Sequence, residues 1–338
     1  MKENKIKRSF LMRITAAMKA AGPLGAAWEY HIVYKQLLKL RKLAKHLNKI
    51  SWYNSTGQLM QFILDLMMVK LWDIAQNNEN CPADKKTITR TPPPFKLFQP
   101  GNGKLPFLSW STLPGFNCPG AGSCWVLAKN KFSGWCYSVK AWRYPAAYLR
   151  QLQNTVLEQT PAGRQIIRQE LKKELKRPIY RGLDNIPLRL YVDGDFSSLE
   201  LLRCWMDLAK EFPQLKIYGY SKSLHLFEEL ARTGYEWPTN YALNGSSGSK
   251  YENTPTHKAA AALPIWRGNF EAVPVSAKTL KSWKSGKLTR AAAQEIRSSY
   301  PDKKVFICPG LCGSCTSKGH ACGDQERFNN TTIVIPQH

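Results

Sequence analysis

From Pro106 to the carboxyl end, short apolar runs alternate with helical stretches, and this alternation limits the fold more than any other feature of the chain. Strands are expected at Pro106–Ser111, Leu188–Val192, Leu215–Tyr220, Thr239–Leu243, Glu271–Val275, Lys304–Ile307 and Thr332–Ile335. Between them, helices are expected at Tyr144–Glu158, Gly163–Leu175, Ser197–Glu211, Leu224–Arg232 and Thr289–Ser298. Such alternation builds βαβ units with parallel strands. The expectation is therefore an α/β fold, a partial or complete parallel (β/α) barrel, preceded by a basic helical region. A parallel barrel carries its site at the carboxyl ends of the strands. Polar groups follow five of the expected strands: a cysteine group, Asp193-Gly194-Asp195, Ser221-Lys222, the Asn244–Ser249 stretch, and Cys308.

The part before the alternation differs in kind. Between Lys2 and Leu47, Lys and Arg far outnumber the two acids Glu3 and Glu29. Apolar residues recur at near-helical spacing through Ile32, Leu37, Leu38, Leu40, Leu43 and Leu47, with Lys35, Lys39, Lys42, Lys45 and Lys49 between them, which predicts a basic amphipathic helix. Polar residues and the run Pro92-Pro93-Pro94 then mark a linker. The organisation expected is a basic helical region at 1–78, a linker at 79–104, and a barrel-like domain at 105–338. Leu59–Ala75 is interrupted by Asp65, Lys70 and Asp73, so it reads as a packed helix and not as a membrane span. No cleavable leader is expected at Met1–Arg13, and the setting expected is the cytoplasm.

The formal net charge is +25. A charge so lopsided favours a polyanionic partner, and nucleic acid, DNA before RNA, is the one expected. A second basic helix near Arg164–Arg181 and the aromatics interleaved with cations in Trp135–Tyr148 fit phosphate contact and base stacking.

Seven of the nine cysteines fall into two groups. In a reducing compartment, clustered cysteines read as metal ligands before disulfides. Cys118, Cys124 and Cys136 have the spacing C-x5-C-x11-C. Three thiolates leave one position open, either on an iron of a [4Fe–4S] cluster or on zinc. Cys308, Cys312, Cys315 and Cys322 have the spacing C-x3-C-x2-C-x6-C, with glycines that let the backbone wrap. Four thiolates make a closed site, for which an iron–sulfur cluster is the first expectation and zinc the alternative. His320 falls inside this loop and is placed beside the ligands rather than among them. Cys204 is expected in the core, and Cys81 is left unassigned.

At these residues the chain resembles the gene product 88 family of phage and plasmid proteins. The matching features are CPGAGSC followed by CYS, then YVDGDFSS, the helix with Trp205, KIYGYSKS, CPGLCGSC and the terminal IVIPQH, in order over 104–338. The resemblance implies a mobile-element setting and no particular reaction. In the family a His ends the last strand, which implies for His338 either a place near a cluster, as ligand or proton donor, or a frayed tail. The chain also looks like a distant relative of radical S-adenosylmethionine barrels, which carry cysteines after the first strand. Its eleven-residue gap before Cys136 is wider than a radical-cluster loop shows.

Two functions compete on these residues. One is a nucleic-acid-binding metalloprotein of a plasmid or phage, acting in replication. The other is an iron–sulfur enzyme of radical S-adenosylmethionine type, with Asp193, Asp195 and Lys222 as catalytic groups and Cys118, Cys124 and Cys136 holding the cluster. Asp193 and Asp195 suit a metal-binding or acid–base pair, or equally a turn that caps the next helix. Asn244–Ser249 suits an anion-cradling nest or a plain loop. His225, one turn beyond Lys222, reads as a satisfied surface or core residue, and His257 has no expected partner.

Overall fold

The computed structural model describes residues 27–76, 93–101, 103–115, 117–128, 131–132, 134–142, 144–313, 315–316 and 319–337. Cys81, His338, the first part of the basic region and most of the linker lie outside the described residues. The chain divides into two compact units. One takes in residues up to Phe98, Ser111–Asn117 and Ser138–Arg181; the other takes in Gln99–Trp110, Cys118–Tyr137 and Gly182–His338. The chain thus crosses between units, whereas the sequence pattern places boundaries near 78 and 104.

The first unit is helical. Helices α1 (Ala27–His46) and α2 (Ile50–Gln76) pack against each other. Leu37, Leu40 and Ala44 of α1 are buried, while Lys35, Lys39, Lys42, Lys45 and Lys49 are exposed, so the amphipathic expectation holds over the described turns. After the short α3 (Ser138–Ala141) come α4 (Pro145–Glu158) and α5 (Pro161–Leu175), each with a proline in its first turn, where no N–H is missed. Buried polar side chains of α4 bind extended segments. Gln153 exchanges two hydrogen bonds with the backbone of Phe95, at 3.0 and 2.9 Å. Asn154 donates to the carbonyl of Ser111 at 3.0 Å, and Thr155 accepts the N–H of Leu113 at 2.9 Å. Trp142 and Tyr148, expected as stacking platforms, are instead fully buried. Their rings meet edge to face, and the indole N–H donates to Gln151 at 3.1 Å. Tyr137 and Tyr144 are the exposed aromatics of that stretch.

The second unit is a seven-stranded parallel sheet flanked by helices. Strand β1 (Leu108–Ser109) is followed by a hairpin, β2 (Leu127–Ala128) and β3 (Lys131–Phe132), outside the sheet. Then come β4 (Ile186–Leu190), α6 (Leu199–Glu211), β5 (Leu215–Ser221), α7 (Leu224–Arg232), β6 (Tyr241–Ser246), α8 (Pro255–Ala261), β7 (Trp266–Val273), α9 (Ala277–Lys284), α10 (Arg290–Ser298), β8 (Val305–Ile307), α11 (Gln325–Phe328) and β9 (Thr332–Pro336). The spatial order is β1-β4-β5-β6-β7-β9-β8, and every neighbouring pair is parallel. All seven expected strands are present. Because β1 and β8 stand at opposite edges, the sheet is an open, partial barrel.

Burial drives this assembly. Leu188, Leu190, Ile217, Tyr218, Leu243 and Ile333 are fully or almost fully buried, as a parallel sheet covered on its faces requires. Trp110, Tyr191 and Trp205 pack edge to face on the β4 side, with centroids 5.3 and 6.5 Å apart, each pair adding about 0.5–1.5 kcal/mol beyond burial. Helices α6, α9 and α10 begin at Ser198, Ser276 and Thr289, whose hydroxyls accept N–H bonds from the first turn. Strand β9 comes last in the chain yet inserts between β7 and β8, so the segment from Cys308 to Thr331 must return from the carboxyl end of β8 to the amino end of β9.

Candidate functional site

The carboxyl edge of the sheet collects two separate constellations. The first lies around Asp195, just past β4. Its carboxylate is buried and accepts five hydrogen bonds: from the N–H of Phe196 (2.8 Å), Lys222 (2.7 Å) and Ser223 (3.0 Å), and from the hydroxyls of Ser221 (2.8 Å) and Ser223 (3.0 Å). This is a clamp on the turn that joins β5 to α7. The Lys222 side chain reaches on to the Ser246 hydroxyl, 2.6 Å from Nζ, at the end of β6. Asp193 is half-buried two residues earlier.

The first cysteine group docks on the same turn. The N–H of Gly122 donates to Gly248 at 2.8 Å, the N–H of Lys250 to Gly120 at 3.0 Å, and the Ser249 hydroxyl to the Lys222 carbonyl at 2.7 Å. Gly120 lies so close that a Cβ there would stand 1.9 Å from the Lys222 carbonyl oxygen. The eleven-residue gap is spent on the β2–β3 hairpin, which returns Cys136 to Cys124; its N–H donates to the Cys124 carbonyl at 2.9 Å. Burial pushes the Cys124 thiol above its ordinary pKa, as do Cys136 and Asp195, while Lys222 and the Gly122 N–H pull it down. The fold therefore assembles Cys124, Cys136, Asp195 and Lys222. Cys118 lies half-buried at the head of the same loop.

The second constellation is the β8–β9 connection. Cys308 and Cys322 are buried, and the half-buried Cys312 and Cys315 pack against the same apolar cluster, which includes Phe107, Tyr218 and Ile333. Burial, then the neighbouring Cys322, Cys312 and Cys315, push the Cys308 thiol up to about 12. Burial likewise lifts Cys322 to about 11, opposed by the Tyr220 hydroxyl and by Arg267 and Arg189. Backbone N–H groups point at sulfur: Gly310 to Cys308 and Ala321 to Cys315, both at 3.4 Å. His320 stacks at 4.5 Å on Tyr218 and 5.3 Å on Phe107, and burial, helped by Lys216, lowers it to about 4. It lines the quartet as an uncharged ring. Among the described residues, no three His, Cys, Asp or Glu side chains are arranged to hold a metal ion as they stand.

Two further residues, Arg267 and Arg189, were not anticipated from the sequence. Arg267 on β7 is completely buried. It donates from Nε to Asn244 Oδ1 at 2.7 Å, and from its terminal nitrogens to the carbonyls of Asn269 (3.1 Å), Phe328 (3.4 Å) and Thr331. Asn244 in turn donates to the carbonyls of Gly219 (3.1 Å) and Cys322 (3.0 Å). The stretch from Asn244 is thus neither nest nor plain loop at its start: residues 244–246 complete β6, and Asn244 is the acceptor for a buried guanidinium. Arg189 on β4 lies over the Tyr220 ring at 4.6 Å. A polar cleft of about 330 Å³ opens nearby between Ser246, Asn269, Glu252 and Glu271. His257, on its wall, accepts the Asn253 N–H at Nδ1 (3.2 Å) and so carries its proton on Nε2, facing Asn269 Oδ1 at 3.1 Å. His225 stacks on Tyr251 with ring centroids 4.7 Å apart. Cys204 is half-buried on α6.

The family described as Gene product 88 matches residues 75–331. No curated protein and no solved structure matches the chain. Among the described residues, no helix is long and apolar enough to cross a membrane.

Proposed function

Starting from the fact that this chain belongs to the gene product 88 family, we propose that it is a nucleic-acid-binding metalloprotein of a phage or plasmid, engaging DNA in preference to RNA during replication of the element. The observation that carries this reading is the cationic stripe of α1. At about 100° per residue, Lys35, Lys39, Lys42 and Lys45 fall within an arc of about 120°, and Lys49 follows just past the end of the helix. All five are exposed, and buried Leu37, Leu40 and Ala44 occupy the opposite side. No acidic residue interrupts the stretch from Tyr34 to Lys49. A helix so arranged lays a row of ammonium groups along a phosphate backbone, and a chain carrying +25 has the field to draw that polymer in.

The metal half of the reading rests on the cysteine quartet. Its donor set is purely thiolate, which selects an iron–sulfur cluster or zinc over harder cations. Two N–H groups already aim at sulfur, the kind of hydrogen bond that stabilises thiolate in such centres. Cys308, Cys312, Cys315 and Cys322 would hold the metal, which would tie the β8–β9 connection to the edge of the sheet as a structural centre. The competing enzyme reading gains nothing from Asp195, whose carboxylate is spent on five donors within the fold.

The test is charge reversal on the stripe in the full-length chain. Lys35→Glu with Lys39→Glu and Lys42→Glu should weaken binding to a fluorescent DNA duplex at low salt. It should also flatten the dependence of log affinity on log salt, by about 0.9 for each phosphate that the helix no longer neutralises. Equal affinity and an equal salt slope would overturn the reading.

A further inference from the structure

Arg189 and Arg267 are enclosed guanidinium groups of the sheet unit that have no carboxylate partner among the described residues. Arg267 is wholly buried, and every hydrogen-bond acceptor it meets is neutral. Arg189 is half-buried with its Nε enclosed, and that atom has no hydrogen-bond partner among the described residues. None of the ion pairs among the described residues includes either one. A buried charge left uncompensated costs several kcal/mol. A fold that encloses guanidinium groups on β4 and on β7 of one sheet calls for negative charge between them.

The cysteine quartet is the group within reach. Asn244 links the two: it accepts from Arg267 and donates to the Cys322 carbonyl at 3.0 Å. On the other side, Arg189 covers the Tyr220 ring, and Tyr220 packs against the apolar cluster that holds Cys308, Cys312, Cys315 and Cys322. The row therefore runs Arg189, Tyr220, Cys322, Asn244, Arg267. We infer that Arg189 and Arg267 are the counter-cations of a four-thiolate centre formed by Cys308, Cys312, Cys315 and Cys322. Four thiolates around a divalent ion, or around a cubane cluster of charge two plus, sum to about −2, which the two guanidinium groups neutralise. This rests on the metal half of the proposed function and adds the charge of the centre and the residues that balance it. It also separates two roles for Arg267. Cross-linking β7 to Thr331 needs its shape; balancing the centre needs its charge.

The experiment uses the full-length chain, metal-free and reduced, titrated with cobalt(II), whose sulfur-to-metal absorption reports bound thiolates. The wild type should develop that absorption, and Cys312→Ser should lose it. Arg189→Gln and Arg267→Gln should each weaken cobalt affinity about 10–100-fold, as removal of groups supporting metal ligands does elsewhere. Arg189→Lys, which keeps the charge, should restore it. Arg189→Gln carries the test alone if the Arg267 variant does not fold. Wild-type affinity in Arg189→Gln would overturn the counter-cation role while leaving the metal reading intact. Absence of thiolate absorption in the wild type, or its persistence in Cys312→Ser, would overturn both.

Discussion

Asp195 accepts the main-chain N–H of Lys222 at 2.7 Å, a bond from the end of β4 to the turn beyond β5. With the other four donors, it makes the carboxylate the post on which the edge of the sheet is hung. Removing it leaves several enclosed N–H and O–H groups without an acceptor. Asp195→Ala should therefore lower stability by at least about 3 kcal/mol in urea denaturation. Lys222→Met, which gives up one half-exposed hydrogen bond to Ser246, should cost under about 1.5 kcal/mol. A larger loss for Lys222→Met would show that the lysine, not the carboxylate, organises the turn.

The same carboxylate gives a pH dependence of defined sign. Burial raises its pKa above the ordinary 3.8, against the N–H and O–H groups that favour the ion. The native state thus holds the Asp195 proton more tightly than the unfolded chain does. Its contribution to stability is greatest below that ordinary value and declines as pH rises through the folded value. The stability margin of wild type over Asp195→Asn should shrink as pH rises above about 4. A margin that widens over that range would contradict the assignment.

The parts of the fold legible in the sequence are those where local pattern and burial agree. Leu188–Val192 and Leu215–Tyr220 are apolar enough to declare buried parallel strands, and β4 and β5 lie there. Strand β7 is expected at Glu271–Val275 but begins at Trp266, because Arg267, Gly268 and Asn269 read as loop. Nothing local shows that Asn244 waits to accept a guanidinium. Helices α8 and α9 escape the pattern for a different reason. They are one or two turns long, too short for periodicity, although Thr254-Pro255 is itself a helix-start signal. The insertion of β9 between β7 and β8 is a long-range pairing that no local propensity encodes. At the site, Asp195 offers two roles, and only its burial and five donors select the clamp.

The seat of the first cysteine loop is set by backbone packing, and a single methyl group should disturb it. In Gly120→Ala the new Cβ would meet backbone, the Lys222 carbonyl, which has no flexible end to swing away. The loop must lift, at a cost of about 1–3 kcal/mol. Cys124, now 4% exposed, should become more accessible. Alkylation followed by peptide mass spectrometry should show Cys124 reacting several-fold faster than in wild type. Unchanged labelling with unchanged stability would mean that the loop is not docked as described.

The last prediction concerns how the quartet loop begins. Trp283 on α9 donates its indole N–H to the Cys308 carbonyl at 2.6 Å. Its ring also covers Gly310, which has φ of +81° and would place a Cβ 3.0 Å from Trp283 Cζ2. Each change has its own expected effect. Trp283→Phe removes the hydrogen bond and leaves the carbonyl to be met by water, for about 1 kcal/mol. Gly310→Ala meets two penalties: a left-handed backbone, worth about 1–2 kcal/mol for a residue with a Cβ, and crowding against the indole. The crowding disappears when the indole is replaced by the smaller ring, while the backbone strain does not. The double variant should therefore be more stable than the sum of the single losses predicts, by about 0.5–1.5 kcal/mol in a denaturation cycle. Strict additivity would show that the indole does not rest on Gly310 in solution, and that α9 does not hold the entry to the cysteine loop.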